Sequence, residues 1–391
     1  MNILPPLTYQ IAPSELVNDM PRNSIIRDSR TAEQLAGASF LGFCRTKVAA
    51  EFRTSLVSGN AHHQAQFWCA DLVCSGAILE ICDSLIWVVS RHTGSLNPRL
   101  VMYLDEQISN LFHIITNDKS KIGSKYLDET ENINELLLLT HAKNTQMQFT
   151  ETRPAAPSKT AVIRNKYMNY RNNKQVRELL AEMVYVVFSS RKASGQDTID
   201  ICGTDEFDNG NMTSRLAAPS ADFGTPCLKQ PDADEMRIAA NEFAYQLSLS
   251  QSLPKYNTLA AVYWIEWTLE LERRCKMTKT QVDGAARTHY PVETRYKTLP
   301  IWILWDIIQH YAKAKSNGIA DKVIASVANL FCFQFTNANA RLKKTRHLLY
   351  YAVRIFTEHV DFHAPLLTNP IPPDVAESIH ATYTQVAHKL V

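Results

Sequence analysis

The feature that most constrains the fold is a run of mostly apolar residues at positions 61–90, AHHQAQFWCADLVCSGAILEICDSLIWVVS. It is apolar on more than one helical face and contains Trp68 and Trp87. A helix of this kind has to be buried against other elements, because no single face of it carries all the apolar side chains. Glycine is scarce, at 12 of 391 residues, which disfavours a turn-rich all-β fold. The stretch therefore predicts the core of an all-α protein.

A second stretch, residues 258–311, has the same pattern in a longer form. Four landmarks recur in the same order, with spacings that differ mainly by one polar insertion at 276–297. We interpret this as an internal duplication; chance similarity between amphipathic helices is the alternative. The paired landmarks centre on Phe52 and Phe243, Trp68 and Trp264, Trp87 and Trp302, and Phe112 and Phe331. The predicted core anchors are Phe67, Trp68, Trp87, Tyr263, Trp264 and Trp302.

The chain should therefore form two pseudo-repeated helical bundles joined by a polar linker that contains glycine and proline. Thr31 resembles a helix N-cap, so we expect the first helix to begin there and to end at Ser58-Gly59-Asn60. The predicted divisions are an extended N-terminal arm at 1–30, an N-terminal helical domain at 31–188, a linker at 189–232, a C-terminal helical domain at 233–364, and a tail with a terminal helix at 365–391.

Two basic clusters are candidates for contact with nucleic acid or another anionic surface. The first contains no acidic residue and includes Tyr167 and Tyr170, so it could follow a phosphate backbone while its rings stack on bases. The alternative is that both clusters are solvated helix faces. The first cluster is Arg153, Lys159, Arg164, Lys166, Arg171, Lys174 and Arg177, and the second is Arg341, Lys343, Lys344 and Arg346.

No motif points to catalysis, a metal or a cofactor. The chain has no phosphate-binding loop, nucleophile elbow or zinc-protease motif. Neither His62 nor His63 stands four residues from Cys69 or from another histidine, so we interpret them as an exposed helix start. Glu266 and Glu270 precede two arginines, which favours ion pairs on a solvated edge over acid–base work. We therefore expect no catalytic residue, no metal and no cofactor.

The net charge of +2 and the eight cysteines place further limits on function. A charge this small creates no global field that would attract nucleic acid or membrane. The cysteines show no C-x-x-C spacing, so we expect free thiols and an intracellular place of folding. No apolar run reaches the roughly 18 to 20 residues of a membrane span, so we expect no transmembrane segment.

Six segments, which extend over most of residues 49–362, share one resemblance. They are FWCADLVCSG at 67–76, NPRL at 97–100, NMTSRL at 211–216, NEFAY at 241–245, YWIEW at 263–267 and FTEHVDF at 356–362. Together they resemble an all-helical protein family of nucleocytoplasmic large DNA viruses. No catalytic motif is known to us in that family, so no site residue is carried over. The resemblance implies a virus-encoded protein in the virion or in the host cytoplasm, at a virus factory.

Two classes of function follow from these features. The first is a non-enzymatic structural or assembly protein, such as a minor capsid or scaffold-type component, whose partners are other viral proteins. The second is a nucleic-acid-associated accessory protein of replication or transcription. One continuous basic groove would favour the second class, whereas scattered charge with apolar patches would favour the first.

Overall fold

The computed structural model describes residues 20–35, 37–59, 62–116, 159–193, 209–249, 254–278, 284–314, 318–337 and 342–389. Within these ranges every regular element is a helix, and the one extended pairing is an isolated bridge between Ala38 and Cys44. The predicted all-α fold class is confirmed.

The front half of the chain carries six helices with local start and stop signals. Pro98 is the first residue of its helix, where its missing N–H costs no hydrogen bond. The Asn173 side chain accepts the Val176 N–H at 3.0 Å and caps another helix. The helices are α1 (Arg45–Ser58), α2 (His62–Cys74), α3 (Ile78–His92), α4 (Pro98–Thr116), α5 (Lys159–Met168) and α6 (Lys174–Ser189).

The first helix is shorter than the sequence predicts. It begins at Arg45 rather than at Thr31, although it does end at Ser58 with Gly59 in the left-handed conformation. Residues 31–35 and 37–44 are not helical, and Gly37 and Gly42 have φ angles of 79° and 85° that a helix cannot contain. The predicted start was wrong because these two glycines break the helical pattern.

The back half carries the remaining helices of the described chain. Proline and glycine again mark helix starts, at Pro254 and Gly318. The helices are α7 (Asn209–Ser214), α8 (Asp234–Ser248), α9 (Pro254–Thr278), α10 (Ile301–Ala314), α11 (Gly318–Asn337), α12 (Leu342–Thr357) and α13 (Asp374–His388).

Five helices of each half pack in the same pattern. In the front half α1 packs on α2, α3 and α6, while α4 packs on α3 and α6. In the back half α8 packs on α9, α10 and α12, while α11 packs on α10 and α12. The correspondence α1–α8, α2–α9, α3–α10, α4–α11 and α6–α12 follows chain order. The two halves therefore share a packing pattern, while the internal duplication stays a prediction.

The two halves do not have separate cores. Helix α4 packs on α11, and α3 packs on α12, so apolar side chains of both halves form one continuous hydrophobic cluster. In the back half the predicted anchors Tyr263, Trp264 and Trp302 are buried. Their front counterparts Phe67, Trp68 and Trp87 are only partly buried at the edge of that cluster. The halves thus form one body, with its aromatic anchors covered more completely at the back.

The predicted arm and the predicted terminal helix both pack on the front half. Helix α13 lies against α2, α6 and the short 3-10 helix Arg22–Ser24. The Asn172 side chain bonds the backbone of Ile26 through both its oxygen and its nitrogen, each at 2.9 Å. Residues 1–19 lie outside the described chain.

One helix, α11, is long and apolar enough to cross a membrane by length and composition alone. The apolar window Gly318–Phe335 is 61% buried inside the fold. Buried core helices pass the same test, so the described residues contain no clear transmembrane segment.

Helix α13 can be tested as part of the common core through Tyr383, which is 1% exposed. Replacing Tyr383 by alanine should lower the free energy of unfolding by about 3–5 kcal/mol, because it removes a buried aromatic ring. Urea unfolding followed by circular dichroism measures this. The exposed Gln385→Ala change on the same helix is the control. A loss below about 1 kcal/mol for Tyr383→Ala would show that α13 is not packed as described.

Candidate functional site

An open groove runs along one face of α1. Its lining residues on that helix recur every turn from Arg45 to Ser58, so at 1.5 Å per residue the groove is about 20 Å long. It consists of two adjoining cavities of about 420 and 510 Å³. Arg53 and Trp87 line both cavities and join them. Cavities of this size are in the range that binds small molecules or short peptide segments.

The groove lies where the two halves meet. Helix α3 lines one cavity with Glu80, Asp83 and Ser84 in addition to Trp87. The back half contributes Gln334 from α11 and His347 from α12 to the same cavity. The packing of α3 on α12 therefore completes this cavity, whereas the second cavity is lined by front-half residues.

Charged residues concentrate at the α5 end of the groove. Arg164 from α5 is bonded to Glu80, and Arg45 stands 3.9 Å from the same carboxylate. Among the described residues Arg53 forms no ion pair within 4.0 Å, although the charge of Asp83 acts on it. Three guanidinium groups thus face two carboxylates, and Arg53 keeps N–H donors that point to no protein acceptor.

Trp87 lies at the centre of a cationic cluster. The Arg53 and Arg91 guanidinium carbons are 5.4 and 5.2 Å from the centroid of its ring. Such distances allow cation–π attraction, which holds both arginines beside the groove. The rings of His92 and His347 lie 5.2 and 6.3 Å from the Trp87 ring.

The pKa of His347 reports the electrostatics of this cluster. Burial lowers the pKa from 6.5 to about 4, and the positive charges of Arg91 and Arg346 act in the same direction. Its Nδ1 atom is buried without a hydrogen-bond partner among the described residues. His347 is therefore neutral at pH 7, and the back wall of the groove has a positive potential that disfavours a further cation.

In the first predicted basic cluster, Arg177 is fully buried. Its guanidinium lies 3.7 Å from the centroid of the Tyr383 ring and donates to Ser24 O at 3.1 Å and Asn172 Oδ1 at 2.8 Å. The predicted nucleic-acid contact for Arg177 is wrong, because this arginine holds α13 and the N-terminal segment on α6.

The other members of this cluster do not form one exposed basic face. Lys166 is exposed, whereas Arg171 and Lys174 are partly buried. The predicted stacking rings also point inward, since Tyr167 is 8% exposed and the Tyr170 hydroxyl donates to Ile115 O at 2.6 Å. Arg164 belongs to the groove. Arg153 and the side chain of Lys159 lie outside the described residues.

The second predicted cluster is also partly internal. Arg346 is 7% exposed, and its Nη1 atom lies 2.9 Å from Glu266 Oε2. The predicted surface contact for Arg346 is therefore wrong, as is the predicted solvated edge for Glu266, which is 6% exposed. Glu270 does pair with Arg273 and Arg274 as expected. Arg341 and the side chains of Lys343 and Lys344 lie outside the described residues.

The sequence carried only a weak signal for the groove. Arg45 and Arg53 lie two turns apart on α1, with the small residues Ala49 and Ala50 between them. Such spacing leaves a shallow channel flanked by charge, but the acidic partners and His347 come from distant parts of the chain. Within the described residues no group of three or more His, Cys, Asp or Glu could hold a metal ion.

Comparisons with protein-family models, curated proteins and solved structures give no match to this chain.

The lowered pKa of His347 makes folding stability depend on pH. Between pH 6.5 and about 4 the unfolded chain takes up a proton at this position that the folded chain does not, so stability falls as the pH falls. Replacing His347 by glutamine should reduce that loss by up to about 3 kcal/mol. Urea unfolding at pH 7 and pH 4.5 measures the change. The exposed His363→Gln variant should behave like the unmodified protein; an unchanged pH dependence in His347→Gln would contradict the assignment.

Proposed function

We propose that this protein is a non-enzymatic assembly protein that acts through protein–protein contacts, as a minor capsid or scaffold-type component of a large DNA virus. The observation that carries the proposal is the groove along α1, an open, elongated channel of mixed charge on the surface of the described helical body. A channel of this shape suits a polypeptide segment better than a single small molecule.

The alternative function is nucleic-acid binding, and part of the basic surface predicted for it is buried or paired with acidic residues. Arg177 is buried, Arg346 pairs with Glu266, and Arg164 pairs with Glu80. The groove itself contains Glu80 and Asp83 beside its three arginines, so its excess of one positive charge is too small for a phosphate backbone with a charge on every nucleotide. Mixed charge of this kind favours a protein partner.

The single core of the two halves also supports a structural function. Because α4 packs on α11 and α3 on α12, the body presents its surface in a fixed geometry. A fixed geometry is what an assembly component needs, since it positions neighbours without paying for reordering on binding. The viral context comes from the sequence resemblance alone.

The proposal predicts that the protein is a constituent of purified virus particles. Quantitative mass spectrometry of gradient-purified particles should find it at a constant ratio to the most abundant capsid protein across the particle peak. Detection only in infected-cell extract, or a ratio that drifts across the peak, would contradict the assembly function.

Nucleic-acid binding can be tested separately. Filter binding of a 30-nucleotide single-stranded DNA should be weak at 50 mM salt, because few described arginines are available to phosphates. Tight binding that falls by about 10³-fold or more between 50 and 200 mM salt would favour the alternative function.

A further inference from the structure

We propose that the groove along α1 is the docking site for an extended, acidic segment of a partner protein. The partner segment would lie on α1 as the chain's own residues 217–225 lie on α8. This inference rests on the proposed function and names the chemistry of the partner. It depends on a comparison between the two halves, which place corresponding helices in different surroundings.

The two helices can be aligned residue by residue. Phe52 of α1 corresponds to Phe243 of α8, and both are fully buried. One turn later Leu56 and Leu247 are also buried. With this register Ala49, Ala50 and Thr54 correspond to Ala240, Asn241 and Tyr245.

In the back half the corresponding face of α8 is covered by the chain itself. Asn241 accepts the Gly224 N–H at 3.2 Å and donates to Ser220 O at 2.8 Å. The backbone approaches so closely that a Cβ on Gly224 would lie 3.2 Å from the Asn241 Cα. The Phe223 ring packs 4.9 Å from the Tyr245 ring. A segment centred on residues 217–225 thus lies along α8.

A carboxylate of α8 fixes the start of this covering segment. The buried Glu242 side chain accepts the Ala217 N–H at 2.9 Å and the Ala218 N–H at 3.1 Å. The recognition therefore combines backbone bonds with one aromatic contact. This is the mode in which an extended peptide is usually held by a protein surface.

In the front half no described segment covers the corresponding face of α1. Ala50 and Thr54 are exposed, whereas Asn241 is 8% exposed. Ala49, Ala50 and Thr54, the counterparts of the covered α8 residues, all line the groove. The groove is thus the place that the covering segment occupies in the back half.

The central tryptophans differ in the same way. Trp302 of α10 is fully buried, because Tyr290 from the insertion after α9 stacks on it at 4.5 Å. Its counterpart Trp87 is only partly buried and is flanked by Arg53 and Arg91. The front half has no equivalent insertion between α2 and α3, so the Trp87 end of the groove also stays open.

The described chain before α1 does not cover the groove, because it is bonded elsewhere. The Phe40 N–H donates to Ser75 Oγ at 2.7 Å, and the Leu41 N–H donates to Asp71 Oδ1 at 3.0 Å. The Ala32 N–H donates to Asn165 Oδ1 at 2.7 Å. These bonds direct residues 32–41 onto α2 and α5 instead of α1.

Charge complementarity sets the chemistry of the occupant. Arg45, Arg53 and Arg164 line the groove together with Glu80 and Asp83, so the guanidinium groups outnumber the carboxylates by one. Arg45 and Arg164 both face Glu80, whereas Arg53 forms no ion pair within 4.0 Å among the described residues. Arginine binds carboxylates with paired N–H bonds, so acidic side chains suit this surface. A groove of about 20 Å accommodates about six extended residues. The occupant is thus a segment of this length with at least two acidic residues and one aromatic residue for the Trp87 end.

The proposal can be tested by selecting a displayed library of random 12-residue peptides against the immobilised full-length chain. Enriched peptides should contain an acidic pair and an aromatic residue. Fluorescence anisotropy should show that Arg53→Glu weakens their binding at least tenfold. Ala50→Trp should do the same by filling the groove at an exposed position, without any change of charge.

The matched control is Arg295→Glu, which makes the same charge change at a side chain that is 68% exposed in the back half. It should leave the affinity unchanged, and all variants should keep the thermal midpoint of the unmodified protein within a few degrees. Peptides without acidic excess, or peptides that bind Arg53→Glu and the unmodified protein equally, would overturn the proposal. So would a 12-nucleotide single-stranded DNA that displaces the peptides from the groove at lower concentration.

The competing occupant that the test has to separate is the chain's own segment 126–139. This segment carries Asp128, Glu129, Glu131 and Glu135. Changing these four residues to asparagine or glutamine should leave peptide affinity within twofold. A rise of tenfold or more would show that this segment occupies the groove and would overturn the partner proposal. The peptide-binding result and the particle proteomics test different claims. If the protein is present in virions but selects no acidic peptide, the proposed function stands and this inference is wrong.

Discussion

The structure depends on the apolar contact between its two halves. Helix α4 packs on α11 and α3 packs on α12, so that a single hydrophobic core extends across the boundary between the halves. Burial of apolar surface is the dominant favourable term in folding, and here much of it is available only when both halves are present. The groove also depends on this contact, because Gln334 and His347 of the back half complete a wall built mainly by the front half.

Polar interactions then make the halves different. The back half is closed by a buried ion cluster in which Arg287 binds Asp232 and also donates to Asp306 at 3.1 Å. Arg287 and Asp232 are almost fully buried, and Asp232 also accepts the Ala285 N–H at 2.9 Å. A buried charge without its partner is costly, so this cluster fixes the insertion and the segment before α8 together. In the front half three arginines line the open groove instead of being buried. They lie beside Trp87 and two carboxylates, those of Glu80 and Asp83.

Local signals in the sequence predicted the helices well but not the surroundings of their side chains. Helix α1 ends at Ser58 and α2 begins at His62, as the pattern indicated, because glycine and apolar periodicity act within a few residues. The first helix was predicted too long, since the glycine turns at 37 and 42 outweighed a plausible cap at Thr31. Arg177 and Arg346 looked like surface charges, but their partners Tyr383 and Glu266 are distant in sequence. The groove was only weakly indicated by the spacing of Arg45 and Arg53 on α1, because it results from the lack of a covering segment among the described residues.

The central claim is that corresponding helices are open in the front half and covered in the back half. The most direct test compares thiol labelling of Ala49→Cys and Ala240→Cys in a Cys44→Ser background, which removes a naturally exposed thiol. Both changes are alanine to cysteine at corresponding positions, and mass spectrometry can follow the reaction of each with a maleimide. We predict that the thiol at position 49 reacts at least about tenfold faster, because the one at position 240 needs local opening of its cover. Equal rates at the two positions would contradict the account.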